Sequence, residues 1–163
     1  MPTKPEKAQP PAKDTSIRIQ AFKTQKEFRQ WLTKNHEIET PLWIRIYKKN
    51  SEHATITYAE ALDEALCFGW IDGQKKSYDS ESWIQKFTKR RKRSQWSKRN
   101  TEHVARLIKS GKMTESGLSE IQAAKNDGRW DRAYSSFSEA RPSEDFIVEL
   151  NKNKKASAFF KTL

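Results

Sequence analysis

The 163-residue chain has one cysteine, Cys67, so no internal disulfide can form and a reducing compartment is expected. Its three histidines, His36, His53 and His103, are far apart and away from ligand spacing, so neither a metal site nor a cofactor is expected. None of the five glycines belongs to a G-x-x-x-x-G-K-[ST] or G-x-G-x-x-G run, which excludes the two common phosphate-cradling loops. No apolar run approaches the roughly 20 residues that span a bilayer. The N-terminus has no apolar core of a secretory signal, and a cytoplasmic location is expected. Asp63 and Glu64 are adjacent rather than three or four residues apart, so they make no carboxylate pair on one helix face, and no catalytic residue is assigned.

What the chain does have is positive charge in one place. Residues 86 to 112, KFTKRRKRSQWSKRNTEHVARLIKSGK, hold eleven Lys and Arg against Glu102 alone, giving +10 of the whole-chain +11. The remainder is nearly neutral, so this segment is a candidate anion-binding surface. The charged fraction, 33%, nearly equals the hydrophobic fraction, 34%, but six Trp, four Tyr and eight Phe supply material for a core.

Residues 1 to 15 form a Lys- and Pro-rich tail with four of the six prolines, expected to be flexible. Residues 16 to 163 read as a single α+β domain: a small sheet with helices in the N-terminal half (16 to 95) and a helical C-terminal half (96 to 163). Ile17, Ile19 and Ala21 alternate as the inward side of a first strand. Thr24 and Glu27 form a capping box ahead of a helix with Phe28, Trp31 and Leu32 inward. Leu42 to Lys49 is a second strand, aliphatic on one face and aromatic on the other. Thr57 and Glu60 form another capping box, followed by Tyr58, Ala61, Leu62, Ala65 and Leu66 at helical spacing, with Glu60, Asp63 and Glu64 on the wet face. Gly69 sits where a left-handed cap would end that helix. Gly69 and Gly73 bracket a short extended piece, Asp72-Gly73 reads as a turn, Gln74 to Ser80 is polar, and Trp83 to Phe87 reads as a third strand. Ser97, Thr114 and Pro142 mark the starts of later helices, and the last follows Asn153. Their inward stripes read as Val104, Leu107, Ile108; Leu118, Ile121, Ala124; Phe146, Ile147, Leu150; and Ala156, Phe159, Phe160, Leu163.

The anion-binding candidates are Arg90, Arg91, Ser94, Trp96, Ser97 and Asn100. Ser97 opens a helix whose free N–H groups and positive dipole end would face a ligand, and the two arginines offer planar forks for phosphate or carboxylate. Trp96 offers a flat face for stacking. The plainer alternative is a solvated basic loop with helix-capping serines and Trp96 in the core. A second candidate pocket is Trp70, Asp72 and Gly73, with Asp72 pairing with Arg90 or Arg91, acting as an acid/base group, or serving only as a turn residue. Cys67, near a helix C-terminus with no histidine nearby, reads as a buried structural thiol. Arg129 and Trp130 read as a pin between the two halves, the arginine capping carbonyls. KRRKR also has the composition of a nuclear localisation signal. An anionic membrane surface is a weaker partner, because no amphipathic insertion helix accompanies the charge.

Leu62 to Gly73 (LDEALCFGWIDG), Phe87 to Asn100 (FTKRRKRSQWSKRN), the Gly111-Lys112-Met113 turn, Asp127 to Trp130 and Phe159 to Leu163 together resemble the YdeI/OmpD-associated, or bacteriocin-protection, family over roughly residues 20 to 163. The resemblance implies a bacterial, usually cytoplasmic α+β protein associated with stress or antimicrobial-peptide protection, with no settled biochemical activity. It sets the nuclear-localisation reading aside. Relatives usually have Arg where Lys112 stands, and many continue past the FFKTL position into a further basic helical segment. The expected function is a non-enzymatic binding protein engaging an anionic ligand or protein partner. The alternatives are a nucleic-acid binder on the same surface, and an enzyme on a small phosphorylated or acidic metabolite with Asp72 and Arg91 in its pocket. Oligomeric state is not legible.

Overall fold

The computed structural model describes residues 18–135, 142–160 and 162. The Lys/Pro-rich tail of residues 1 to 15, Ser16, Ile17 and Leu163 lie outside the described residues. The chain runs β1 (Arg18–Ala21), α1 (Gln25–Asn35), β2 (Leu42–Tyr47), α2 (Tyr58–Cys67), β3 (Trp70–Ser77), β4 (Ser82–Lys89), α3 (Lys98–Lys109), α4 (Glu115–Asn126), α5 (Glu144–Asn151) and α6 (Lys154–Phe160). The described strands form one mixed sheet in the order β1-β2-β4-β3. β1 and β2 are parallel, joined through α1, and the other pairs are antiparallel. The expected α+β class holds, with the strands ahead of the C-terminal helices.

The core lies where α1 and α2 cover one face of the sheet. Phe28 and Leu32 of α1, Ala61, Ala65 and Leu66 of α2, and Leu42, Ile44 and Phe87 of the central strands are buried together. Thr57 and Glu60 make the full reciprocal capping box at α2. At α1 only half the box forms: Thr24 Oγ1 accepts from Glu27 N–H, but the Glu27 carboxylate accepts from Lys23 N–H instead. Gly69 has φ +75°, as a left-handed cap requires, and its carbonyl accepts from Arg90 N–H, leading α2 directly into β3 alongside β4.

Several expectations need correction. Asp72-Gly73 is not a turn; both residues lie within β3, which the polar Gln74 to Ser77 continues as an edge strand. Lysines on an edge discourage pairing with another chain, and their polarity hides the strand alternation. A bulge between Asp72 and Lys75 shifts the register, and the buried Gln85 side chain donates to the Gly73 and Gln74 carbonyls there, at 2.8 and 3.2 Å. The hairpin turn lies further on, where the Asp79 carboxylate accepts from Glu81 N–H and Ser82 Oγ–H. Glu64 is not on the wet face: it is 3% exposed and accepts from Gln25 and Arg29, each at 2.7 Å. Ile19, Ala21, Ile108, Leu118, Phe146, Ile147 and Phe159 are exposed rather than inward, whereas Val104, Leu107, Ile121 and Ala124 are buried as expected. Pro142 precedes Ser143, the residue that caps α5, and so lies outside its first turn. α5 and α6 touch through Phe146 and Phe160, whose ring centres are 5.5 Å apart. Among the described residues no helix is long and apolar enough to cross a membrane.

α4 docks end-on against α2. Cys67 O accepts from both Thr114 Oγ1–H (2.7 Å) and Thr114 N–H (3.1 Å), and Phe68 O accepts from Ser116 Oγ–H (3.0 Å). Gly117 makes this approach feasible, because a Cβ there would stand 2.3 Å from Cys67 O and 2.8 Å from Cys67 C. Alanine is the better helix former by about 1 kcal/mol, but a backbone carbonyl cannot swing aside. Gly117→Ala should therefore lose about 1–3 kcal/mol of stability, read as a lower urea midpoint at unchanged slope. A midpoint equal to or above wild type would contradict this packing.

Candidate anion-binding surface

The end of β4 delivers the basic run, and folding divides it into groups with different surroundings. Lys89 is ion-paired with Glu37 (2.7 Å), and Arg106 of α3 with Asp63 (2.7 Å). Arg91, Lys92, Arg93, Lys98 and Arg99 are exposed and make no ion pair among the described residues. Arg90 turns inward and is 5% exposed.

Arg91 and Ser94 close a tight turn: Arg91 N–H donates to Ser94 Oγ and Ser94 N–H to Arg91 O, both at 2.9 Å. This turn borders a hollow of about 410 Å³ lined by Gly73, Gln74, Lys86, Thr88, Lys89, Arg91 and Ser94. Three cations and no carboxylate line it. Size alone does not single it out. A hollow of about 570 Å³ includes Glu60 and Glu64 in its wall, and one of about 600 Å³ includes Glu37, Glu115 and Glu120. Lys86 and Thr88 alternate along β4 and so share a sheet face, a period-two spacing that is present in the sequence itself. Gln74 and Lys89 carried no such signal.

Beneath the turn, the Arg90 guanidinium carbon sits 3.5 Å from the centre of the Trp96 ring. Trp96 is 2% exposed and packs against Trp130 at 5.0 Å between ring centres, so its face is not available to stack on a base. Arg90 Nη1 donates to Gln95 O (3.2 Å), but its Nε and Nη2, together with Trp96 Nε1, are buried with no hydrogen-bond partner among the described residues. Burial pushes the Arg90 pKa down to about 10, with the Glu120 charge acting against that fall. Each unmade buried donor destabilises by about 1–3 kcal/mol, so three in one cluster are a large burden for a domain of this size. The buried Arg129 fastens the cluster from the other side, donating from Nη1 to Ser94 O (2.9 Å) and from Nε to Asp127 (2.7 Å), which holds the Asp127 carboxyl below its usual range. This is the expected carbonyl cap and pin, completed by Trp130.

The helix start does not present the expected row of free donors. Ser97 Oγ accepts from Asn100 N–H, and Lys98 N–H donates to Tyr134 O, while Tyr134 N–H donates to Trp96 O. The chain at Tyr134 thus covers the α3 N-terminus as a short parallel bridge, and Asn100 is buried beneath it. The six predicted residues fall into an exposed Arg91–Ser94 turn, a buried Arg90–Trp96 stack, and a Ser97–Asn100 cap.

The second candidate pocket does not assemble. Trp70 is fully buried and donates from Nε1 to His36 O (2.8 Å). Asp72 accepts from Tyr58 Oη–H at 2.6 Å and pairs with neither arginine among the described residues. Gly73 instead borders the hollow beside Arg91. None of the hollows described above is lined by Trp70, Asp72 or Trp96. Among the described residues, no group of three His, Cys, Asp or Glu is placed to hold a metal ion.

An α+β domain with a carboxylate-free basic hollow at the start of its helical half is the class that fold and site define. The chain belongs to the DUF8412 family, a domain of unknown function, which matches residues 20–120 and so spans the sheet, α1 to α3 and the docking end of α4. No curated protein and no solved structure matches it.

Cys67 is fully buried, and burial together with the Glu64 charge pushes its thiol up to about 11. Thiolate is the reactive form, so the folded protein at pH 8 should resist a thiol-specific reagent and react only at its rate of opening. Rapid stoichiometric labelling without unfolding would instead make Cys67 a candidate nucleophile.

Proposed function

We propose that the protein is a non-enzymatic binding protein that engages an anionic partner through the hollow bounded by Lys86, Lys89, Arg91 and Ser94 and the exposed cations beside it. The observation that carries this reading is a concave wall of Lys86, Arg91 and the Glu37-paired Lys89 with no carboxylate in it, next to four further exposed cations, Lys92, Arg93, Lys98 and Arg99, that have no ion-pair partner among the described residues. An isolated surface ion pair is worth little, but aligned cations in a hollow reinforce one another on a polyanion. The YdeI/OmpD-associated resemblance supports a bacterial, cytoplasmic role in stress or bacteriocin protection. A metabolite enzyme built on Asp72 and Arg91 finds no support: Asp72 is tied to Tyr58, and the hollow that Arg91 borders is not lined by Asp72.

A nucleic acid is the second reading, favoured by the run of exposed Arg91, Lys92, Arg93, Lys98 and Arg99. Trp96 lies in the core, so the attraction rests on phosphate neutralisation rather than base stacking. Both readings are tested by fluorescence anisotropy with a labelled polyglutamate peptide, single-stranded DNA, duplex DNA and RNA, from about 50 to 200 mM salt. At least one probe should bind, and Lys86→Ala/Arg91→Ala should lower the slope of log K against log salt by about two. Binding of the nucleic acids but not the peptide selects the second reading. Binding of no probe at low salt, or a variant indistinguishable from wild type, would overturn the assignment of this surface.

A further inference from the structure

Arg90 carries an unused recognition element that the open surface does not explain. Nε and Nη2 are the two guanidinium nitrogens whose N–H bonds run parallel along one edge. That edge matches the two oxygens of a carboxylate or phosphate. In Arg90 these are the two nitrogens left without a partner among the described residues, while Nη1 is satisfied by Gln95 O. The side chain is 5% exposed, so bulk water does not serve it. The indole N–H of Trp96, on whose ring the guanidinium lies at 3.5 Å, is a third buried donor with no described partner. Nothing described answers them with negative charge: Glu120 and Asp72 act on Arg90 only at a distance, and Asp72 is bonded to Tyr58.

The support around the fork is stiff. Arg90 N–H is held by Gly69 O, Trp96 O receives Tyr134 N–H, and Ser94 O receives Arg129. These bonds fix the backbone beside the fork, while the three donor atoms themselves are closed off, so an oxyanion reaches them only as the covering residues move aside. We propose that Arg90 and Trp96 form a buried receptor for a single oxyanion, a carboxylate or phosphate that sets two oxygens on the Nε–Nη2 edge of Arg90 and is reached by the indole N–H of Trp96. It goes beyond the surface reading because its donors are different atoms, and either can fail alone.

The test is thermal unfolding of the full chain titrated with sodium acetate and, separately, sodium phosphate, with ionic strength held constant by chloride. One of the two should raise the melting temperature saturably, by about 5–10 °C at a hundredfold excess over its dissociation constant. The oxyanion that does so identifies the class. Arg90→Lys keeps the charge but removes the fork, and should abolish the shift. Trp96→Phe keeps the ring but removes the N–H, and should raise the dissociation constant about tenfold; it also carries the test if Arg90→Lys does not fold. Lys86→Ala/Arg91→Ala should leave the shift intact even as it lowers the salt slope of polyanion binding. The proposal is overturned if neither anion shifts the wild type, or if the shift survives both Arg90→Lys and Trp96→Phe. It is equally overturned if the shift disappears in the surface double variant, or appears only in Glu120→Gln, which would mean that Glu120 already occupies the fork.

Discussion

Three successive carbonyls at the end of α2, those of Cys67, Phe68 and Gly69, join the sheet to the helical half. A helix ends with carbonyls that lack intrahelical donors, and a buried end must find them elsewhere. Here Thr114 supplies both its hydroxyl and its amide to Cys67, Ser116 serves Phe68, and Arg90 N–H serves Gly69. One helix end therefore fixes the start of α4 and the exit of β4 together. Gly117 and Gly69 follow from the same demand: one admits the Cys67 carbonyl at close range, and the other turns the chain through positive φ into β3.

That junction also determines how the basic segment is divided. With Arg90 N–H held at Gly69, the Arg90 side chain enters the space closed by Trp96 and Trp130, while Arg91 emerges beside Lys86 and Gly73. Neighbouring residues of one basic run thus acquire opposite physics. The exposed cations act through a field that salt screens over about 8 Å at physiological strength. The buried guanidinium is shielded from salt and acts only on a group that reaches it, and burial has already weakened its hold on its own proton. Net charge alone would count the two as equivalent.

Much of the frame was legible. The Thr57–Glu60 box, the apolar spacing of α2, the glycine stop at Gly69, and the Arg129–Trp130 pin all rest on local chemistry that tertiary context left intact. The misreadings share a different cause. β3 is legible only at its start, between Gly69 and Gly73; its continuation is hidden because an exposed edge strand need not alternate, and a bulge breaks what period remains. Glu64 looked solvated because its partners, Gln25 and Arg29, lie on another helix, out of reach of any helix-face argument. Spacing places Leu118 and Ile108 inward, but each stripe buries fewer positions than its apolar residues would allow.

The candidate site was legible in its membership and not in its arrangement. Sequence groups Arg90, Arg91, Ser94, Trp96, Ser97 and Asn100 because they lie close together along the chain and supply basic, polar or flat aromatic groups; the fold separates them by direction. The partner that closes the α3 N-terminus, Tyr134, is 37 residues beyond Ser97, so the occupied donors there had no local signature. Arg90 and Arg91 differ in the same way. Nothing in the KRRKR run marks which arginine turns inward; that follows from Trp96 offering a ring to cover. A cation stacked on an aromatic gains from the ring what it loses in hydration only in part, and hydrogen bonds must supply the rest. The stack therefore explains why Arg90 tolerates the interior, while its empty edge is what a bound oxyanion would complete.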